Sequence, residues 1–189
     1  MAIRVQEIHP SVVHFPVALI PTAVAVDALG HATGNQALMD MGRRLMPIAA
    51  TSAAIAGAFG LVAQGAVQAE GRAHSLLTTH RTLNVGLFAL TTAMSMWRSR
   101  REEPSPGYLL AGLAGTAALA YSAYLGGKMV YERGVGVAAA GGVRRGAAPE
   151  IRPGKLVHAA RKATEDMTRG ARMSIEDMAK GEIVPELVR

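Results

Sequence analysis

Four histidines in this chain have the residue type and spacing to hold a metal. His9 and His14 lie in "EIHPSVVHFP", at the mouth of an apolar run, and His74 and His80 lie in "RAHSLLTTH", before another. A neutral imidazole is a good transition-metal ligand, and ionisable groups at membrane depth default to function because they are expensive to keep there. His14 and His80 each fall in the first turns of a helical segment. If the two segments run parallel and face each other, the two rings meet at similar depth. A bis-histidine b-type haem needs that arrangement, with an imidazole nitrogen about 2 Å from iron on each face of a flat macrocycle. The same two residues would otherwise join their helices by a hydrogen bond worth about 0.6–2 kcal/mol.

Residues at helical spacing from the pair extend both readings. Ala18, Pro21 and Ala25 follow His14 as a low surface on which a porphyrin can lie. Asn84, Leu87 and Thr91 follow His80, with Asn84 set to orient a ring or a carboxylate. Tyr121, Tyr124 and Lys128 share one face of a later segment, and Arg72 and Arg81 are near in sequence. Such basic and phenolic groups suit haem propionates at the water boundary. His9 and His74 offer a second metal or haem site, or plain interfacial hydrogen bonding. Asp27 lies 13 residues beyond His14, about 20 Å along a helix, and belongs to a different place. Four residues before His31, it reads as part of a capped, hydrated helix end or as a step in a proton path.

The elements that must position these groups follow from charge and hydropathy. Half of the 189 residues are hydrophobic, 4% are aromatic and 18% are charged. Residues 46–69 and 104–127 carry no charge, residues 11–30 carry only Asp27, and residues 82–97 carry none. A hydrocarbon core about 30 Å thick is crossed by about 20 apolar residues. The pattern predicts an all-α fold: an integral-membrane four-helix bundle over residues 1–137, with spans at about 11–30, 46–66, 76–98 and 107–127. Pro10 or Ser11 opens the first helix, "QALMDMGRR" is a connector, "RSRREEPSPG" is a charged turn, and the paired glycines of "LGGK" end the fourth helix. Residues 138–189 form a charged C-terminal extension outside the membrane, partly helical. From residue 143 onward it carries ten Lys or Arg against seven Asp or Glu. Leu156, Ala160, Ala163 and Met167 share one helical face there, suited to a membrane interface or to docking on a partner. Small residues four apart, such as Ala56 with Gly60 and Ala111 with Gly115, allow close helix contact in lipid.

Four spans would put both termini and His9, His14, His74 and His80 at one end, with His31 at the other. The chain has no cysteine, which excludes disulfides, thiol catalysis, iron–sulfur ligation by this chain and covalent c-type haem. The net charge of +6 suits residues flanking membrane spans and meeting anionic lipid, so no nucleic-acid role is expected. The residues before the first apolar run are barely basic, so that segment is expected to be retained rather than cleaved as a leader. No phosphate cradle, nucleophile elbow or carboxylate pair argues for a hydrolase.

"IHPSVVHFPVAL", "THRTLN" and "GGKMVYERGVGV" together resemble an uncharacterised family of bacterial predicted four-span membrane proteins, the domain of unknown function two-two-three-one. Its pattern is an HPxxVHFPxAL opening, a histidine near the start of the third span, and a GGxxVYxxGVGV segment after the fourth. Here the pattern falls on His9, His14, His80, Gly126, Gly127, Tyr131 and Gly134. Relatives fused to cytochrome c or Rieske-like domains imply a redox setting. They also imply that the histidine end and both termini face the periplasm from a multi-pass position in the bacterial inner membrane. The positive-inside count is even: Arg43, Arg44, Arg98, Arg100 and Arg101 at one end, and Arg4, Arg72, Arg81, Lys128 and Arg133 at the other.

The expected function is membrane electron transfer. The chain would be a b-type cytochrome or the haem subunit of a larger redox complex, holding haem b at His14 and His80 and exchanging electrons with a partner protein or a quinone. That makes it more an electron carrier than a stand-alone enzyme. Two alternatives stay open. One is a cofactor-free accessory subunit of a respiratory or photosynthetic complex, joined through the tail. The other is a metal-handling membrane protein with a histidine-based copper or zinc site.

Overall fold

The computed structural model describes residues 3–144, 150–151 and 154–187. Six helices account for nearly all of it: α1 (Val5–Val12), α2 (His14–Thr33), α3 (Gln36–Ala66), α4 (Arg72–Ser99), α5 (Pro106–Arg133) and α6 (Leu156–Ala179). Two-residue strands β1 (Ile3–Arg4) and β2 (Glu150–Ile151) pair antiparallel, Ile3 opposite Ile151 and Arg4 opposite Glu150. Helix α2 packs on α3 and α5, α4 packs on the same two, α1 lies on α3, and α6 lies on α3 and touches α4.

Several helices outrun the spans expected for them, each for a local reason. The first helical run begins at Val5 rather than at Pro10, with Pro10 inside α1. It is interrupted at Val13, where Pro16 has no N–H for the Val12 carbonyl and its ring crowds that carbonyl. The expected connector "QALMDMGRR" is helix. Gly34 closes α2 in the left-handed conformation at φ 65°, and the Asn35 side chain caps α3 by accepting from the N–H groups of Ala37 and Leu38. Met39, Gly42, Met46 and Ala49 then form a buried stripe, while Arg44 is exposed. Gly126 and Gly127 do not end α5, which continues to Arg133 and is closed by Gly134 at φ 64°.

Among the described residues, three helical runs are long and apolar enough to cross a membrane: Glu7–Thr33, Gln36–Ala66 and Pro106–Arg133. Helix α4 is less apolar, and several of its polar residues are interior. Thr91 and Arg98 are buried, whereas Val85, Phe88, Met96 and Trp97 are exposed. The core runs in layers. Ala23, Val24, Met46, Met94 and Tyr108 form one end, Ile20, Ala49, Leu87 and Leu119 come next, and Ala73, Leu76, Leu125, Met129 and Val135 lie at the end that holds the α3–α4 connection.

The C-terminal segment packs on the helices before it. After Gly134 the chain folds back so that the N–H groups of Gln68 and Gly136 donate to the Gly142 carbonyl, and Val143 bridges to Val67. Helix α6 does not bury its apolar stripe. Leu156, Ala160 and Met167 are exposed, and the buried face is Ala159, Asp166, Gly170, Ser174 and Asp177. Close approach selects that face, since a Cβ on Gly170 would sit 2.6 Å from the Leu61 carbonyl oxygen.

Candidate functional site

The histidine of the first helical run that is turned inward is His9, not His14. The buried residues of α2 are Pro16, Ile20, Ala23, Val24, Asp27 and Gly30. Positions 9, 16, 20, 23, 27 and 30 continue a single helical stripe at spacings of seven, four and three. His9 is on that stripe and His14 is off it. His14 is exposed, and its Nδ1 lies 3.1 Å from the Ser11 carbonyl of its own turn. The rotation of the first helical run thus turns His9 inward and leaves His14, expected to pair with His80, on the outer face.

His9 is partly buried between α1 and α3, its Nδ1 3.1 Å from the Ala56 carbonyl oxygen. Its ring takes the space a side chain at position 60 would occupy: a Cβ on Gly60 would be 3.1 Å from the imidazole Cε1. His80 is partly buried between α4 and α5, with Nδ1 2.8 Å from the Ser122 carbonyl and 3.1 Å from the Ser122 hydroxyl. Gly126 faces this ring, and a Cβ there would stand in ordinary contact with Cε1 at 3.4 Å. The Asn84 amide donates to the Ser122 hydroxyl and to the His80 carbonyl, both at 2.7 Å. Asn84 thus orients the ring through Ser122.

These contacts fix the tautomers. A carbonyl oxygen only accepts, so Nδ1 carries the proton in both neutral rings and Nε2 keeps its lone pair. Neither Nε2 has a hydrogen-bond partner among the described residues, and the two imidazoles are within electrostatic reach of each other. A ring nitrogen held by a backbone carbonyl, with the other left free, is the usual state of a metal-bound histidine.

The groups expected to surround a single ligand are divided among separate places. Arg81 is buried and turned to α6, donating from Nη2 to Asp177 Oδ2 at 2.7 Å. Tyr124 is exposed on α5 with the Lys128 ammonium 5.6 Å above its ring, and Lys128 also faces Glu132 at 3.8 Å. Tyr121 packs against the core layer of Leu76 and Leu125, its ring 6.3 Å from that of Tyr124. Arg72 pairs with Glu186 at 3.7 Å. His74 has Glu182 and Asp177 as its partners rather than His9.

Asp27 is no hydrated helix end and does not pair with His31, which is exposed. It is fully buried at the opposite end against Arg98, itself 1% exposed. Arg98 Nε donates to both carboxylate oxygens at 3.0 Å, and Nη2 donates to Oδ1 at 2.9 Å and to the Met39 carbonyl at 2.6 Å. Nη1 donates to the carbonyls of Arg101 and Glu102, and the Tyr108 hydroxyl donates to Asp27 Oδ2 at 3.0 Å. All five guanidinium N–H groups are used. Side chains of α2, α4 and α5 and the backbone of α3 meet at one carboxylate. Gly42 of α3 lets α2 approach, since any Cβ there would overlap the Asp27 carboxylate. Arg98, counted by sequence among the loop cations, is an interior group.

Sequence reasoning missed His9 as the inward ring, Ser122, Gly60 and the Arg98 contact. The stripe through position 9 was the available signal for the first. The others join distant segments and have no local signature.

The family model described as "Predicted membrane protein (DUF2231)" matches residues 6–139, a range that holds His9, His80, Ser122, Asp27 and Arg98. No curated protein and no solved structure matches the chain.

Proposed function

The chain belongs to the DUF2231 family of predicted membrane proteins, and on that premise we propose that it is a four-span electron-transfer protein holding haem b between His9 and His80 near one membrane face. The observation that carries this reading is the pair of imidazoles, each tied through Nδ1 to a backbone carbonyl and each with Nε2 free. With Nε2 free, these two imidazoles are the residues that would hold haem iron. The haem, when bound, supplies one-electron chemistry. The chain's own part is to hold the two rings in one tautomer, with Asn84 and Ser122 setting the orientation of His80 and Gly60 admitting the His9 ring. Helix α4 is read as the fourth span because its exposed side chains over 85–97 are mainly apolar and its strongly polar ones are interior. Electrons would pass to a partner protein or a quinone at the interface.

The membrane is read as the bacterial inner membrane, with the histidine end and both termini periplasmic. Because the chain has no native cysteine, a single Cys at position 187 reports this orientation directly: a membrane-impermeant thiol reagent should label it from the periplasm and not from the cytoplasm. The reduced-minus-oxidised visible spectrum of the detergent-purified protein tests the haem. A b-type signal is expected that is lost in His9→Ala and in His80→Ala and kept in His14→Ala. Colourless protein with no extractable haem would reject the reading. In that event the exposed Leu156, Val157, Ile175 and Met178 of α6 favour an accessory subunit, which co-purification of a large complex would reveal.

A further inference from the structure

The geometry points to a divalent transition-metal site, distinct from the His9–His80 pair, formed by His74, Asp177 and Glu182, and we propose that zinc bound there fastens the C-terminal segment to α4. The three residues come from the first turn of α4, the last turn of α6 and the segment that follows it. Their ligand atoms all lie within 4.8 Å of one another. His74 Nε2 is 3.7 Å from Glu182 Oε2 and 4.0 Å from Asp177 Oδ2. Four ligands at about 2.1 Å from a tetrahedral ion are about 3.4 Å apart, so the His74 ring stands about 0.3–0.6 Å beyond that spacing from the two carboxylates, and the three ligand atoms must draw in from separations of up to 4.8 Å. The side chains that must move have the freedom to do so, His74 being 37% and Glu182 50% exposed.

The donor chemistry selects the ion. One imidazole and two carboxylates are zinc ligands, and the imidazole disfavours calcium and magnesium, which prefer oxygen alone. Three protein ligands leave a fourth position for water. Asp177 is already oriented, since the buried Arg81 donates to its Oδ2 at 2.7 Å. Hydrogen bonding of this kind to a ligating carboxylate is what outer partners of metal sites provide. Counting that arginine, the four side chains carry a net charge of −1 when His74 is neutral, so a cation is welcome.

The consequence is mechanical. The segment after α6 returns to α4, where the Glu186 N–H donates to the Thr79 hydroxyl at 3.1 Å and Glu186 faces Arg72. An ion shared by His74, Asp177 and Glu182 adds a coordinate link to these weaker contacts. By mass action it stabilises the docked tail over any detached form that lacks the complete site.

The test uses the full, untagged chain in detergent, stripped with chelator and titrated with Zn2+. One zinc per chain is expected. His74→Ala and Glu182→Gln should weaken binding by at least about 10- to 100-fold, the range known for loss of a mere outer partner. His9→Ala and His14→Ala should leave it unchanged. Hydrogen exchange supplies a second readout: zinc should slow exchange across α6 in the wild type and leave Glu182→Gln unaffected. Absence of stoichiometric zinc, or equal affinity in wild type and both ligand variants, would overturn the proposal. Haem content on the same samples separates the two sites, because His74→Ala should lose zinc and keep haem while His9→Ala should do the reverse.

Discussion

The two ends of the helix assembly treat their interior polar groups in opposite ways. At the Asp27 end every N–H of Arg98 is used and the carboxylate accepts from Arg98 and Tyr108. At the histidine end Arg81 leaves Nε and Nη1 without partners, as are Gln64 Nε2 and the hydroxyls of Thr78 and Thr82 among the described residues. Neither His9 Nε2 nor His80 Nε2 has a hydrogen-bond partner there among the described residues. A buried polar group without a partner is costly, so a closed network serves the fold while unused valence marks where a ligand or water belongs. The Asp27 end joins helices. The histidine end keeps capacity for something else.

The largest expected effect is at the closed end. Asp27→Ala leaves the Arg98 charge buried and unpaired and should cost about 3–5 kcal/mol, read as a fall in the thermal unfolding temperature in detergent. Replacing Asp27 and Arg98 together by leucine should cost less than the single change, because no orphan charge remains. Additive losses would show that the pair is not a unit. Next comes Gly42→Ala, which drives a methyl group into the Asp27 carboxylate; overpacking of this kind costs about 1–3 kcal/mol and should leave the haem signal intact.

At the open end the pattern should invert. His80→Ala should abolish the haem signal while lowering the stability of the haem-free protein by only about 1 kcal/mol, the worth of an ordinary hydrogen bond. A collapse of stability as large as that of Asp27→Ala would mean that both ends are structural. Asn84→Ala frees Ser122 to turn and should weaken haem retention about 10- to 100-fold, measured by haem transfer to an acceptor globin. The smallest effect is expected for His14→Ala. An exposed side chain bonded only to its own turn should alter stability by no more than about 0.5 kcal/mol and leave the spectrum unchanged.

Much of the helical layout was legible in the sequence. Uncharged stretches located α3 and α5, and the charged Pro-containing turn located the α4–α5 junction. Element ends were legible only where capping chemistry is strong. Charge alone misplaced the start of α3, since Asp40, Arg43 and Arg44 stand on a helix whose opposite face is buried. Paired glycines misplaced the end of α5. Gly126 lies within the helix facing the His80 ring, and Gly134 is the residue in the left-handed conformation. The contact of Asn84 with His80 was legible from spacing alone, because residues four apart share one face of a helix.

Composition and periodicity alone determined that this chain forms long apolar helices, that four of its six histidines fall toward one end of them, and that thiol chemistry is absent. These properties depend on residue type and on near neighbours, which a linear order records. Only the tertiary structure decided which histidine faces inward, that Asp27 meets Arg98, and that α6 docks by its small and polar face. Each of these depends on the rotation of one helix against another across 40 or more residues of chain, and a turn of about 100° per residue makes such a rotation invisible until the helices are packed.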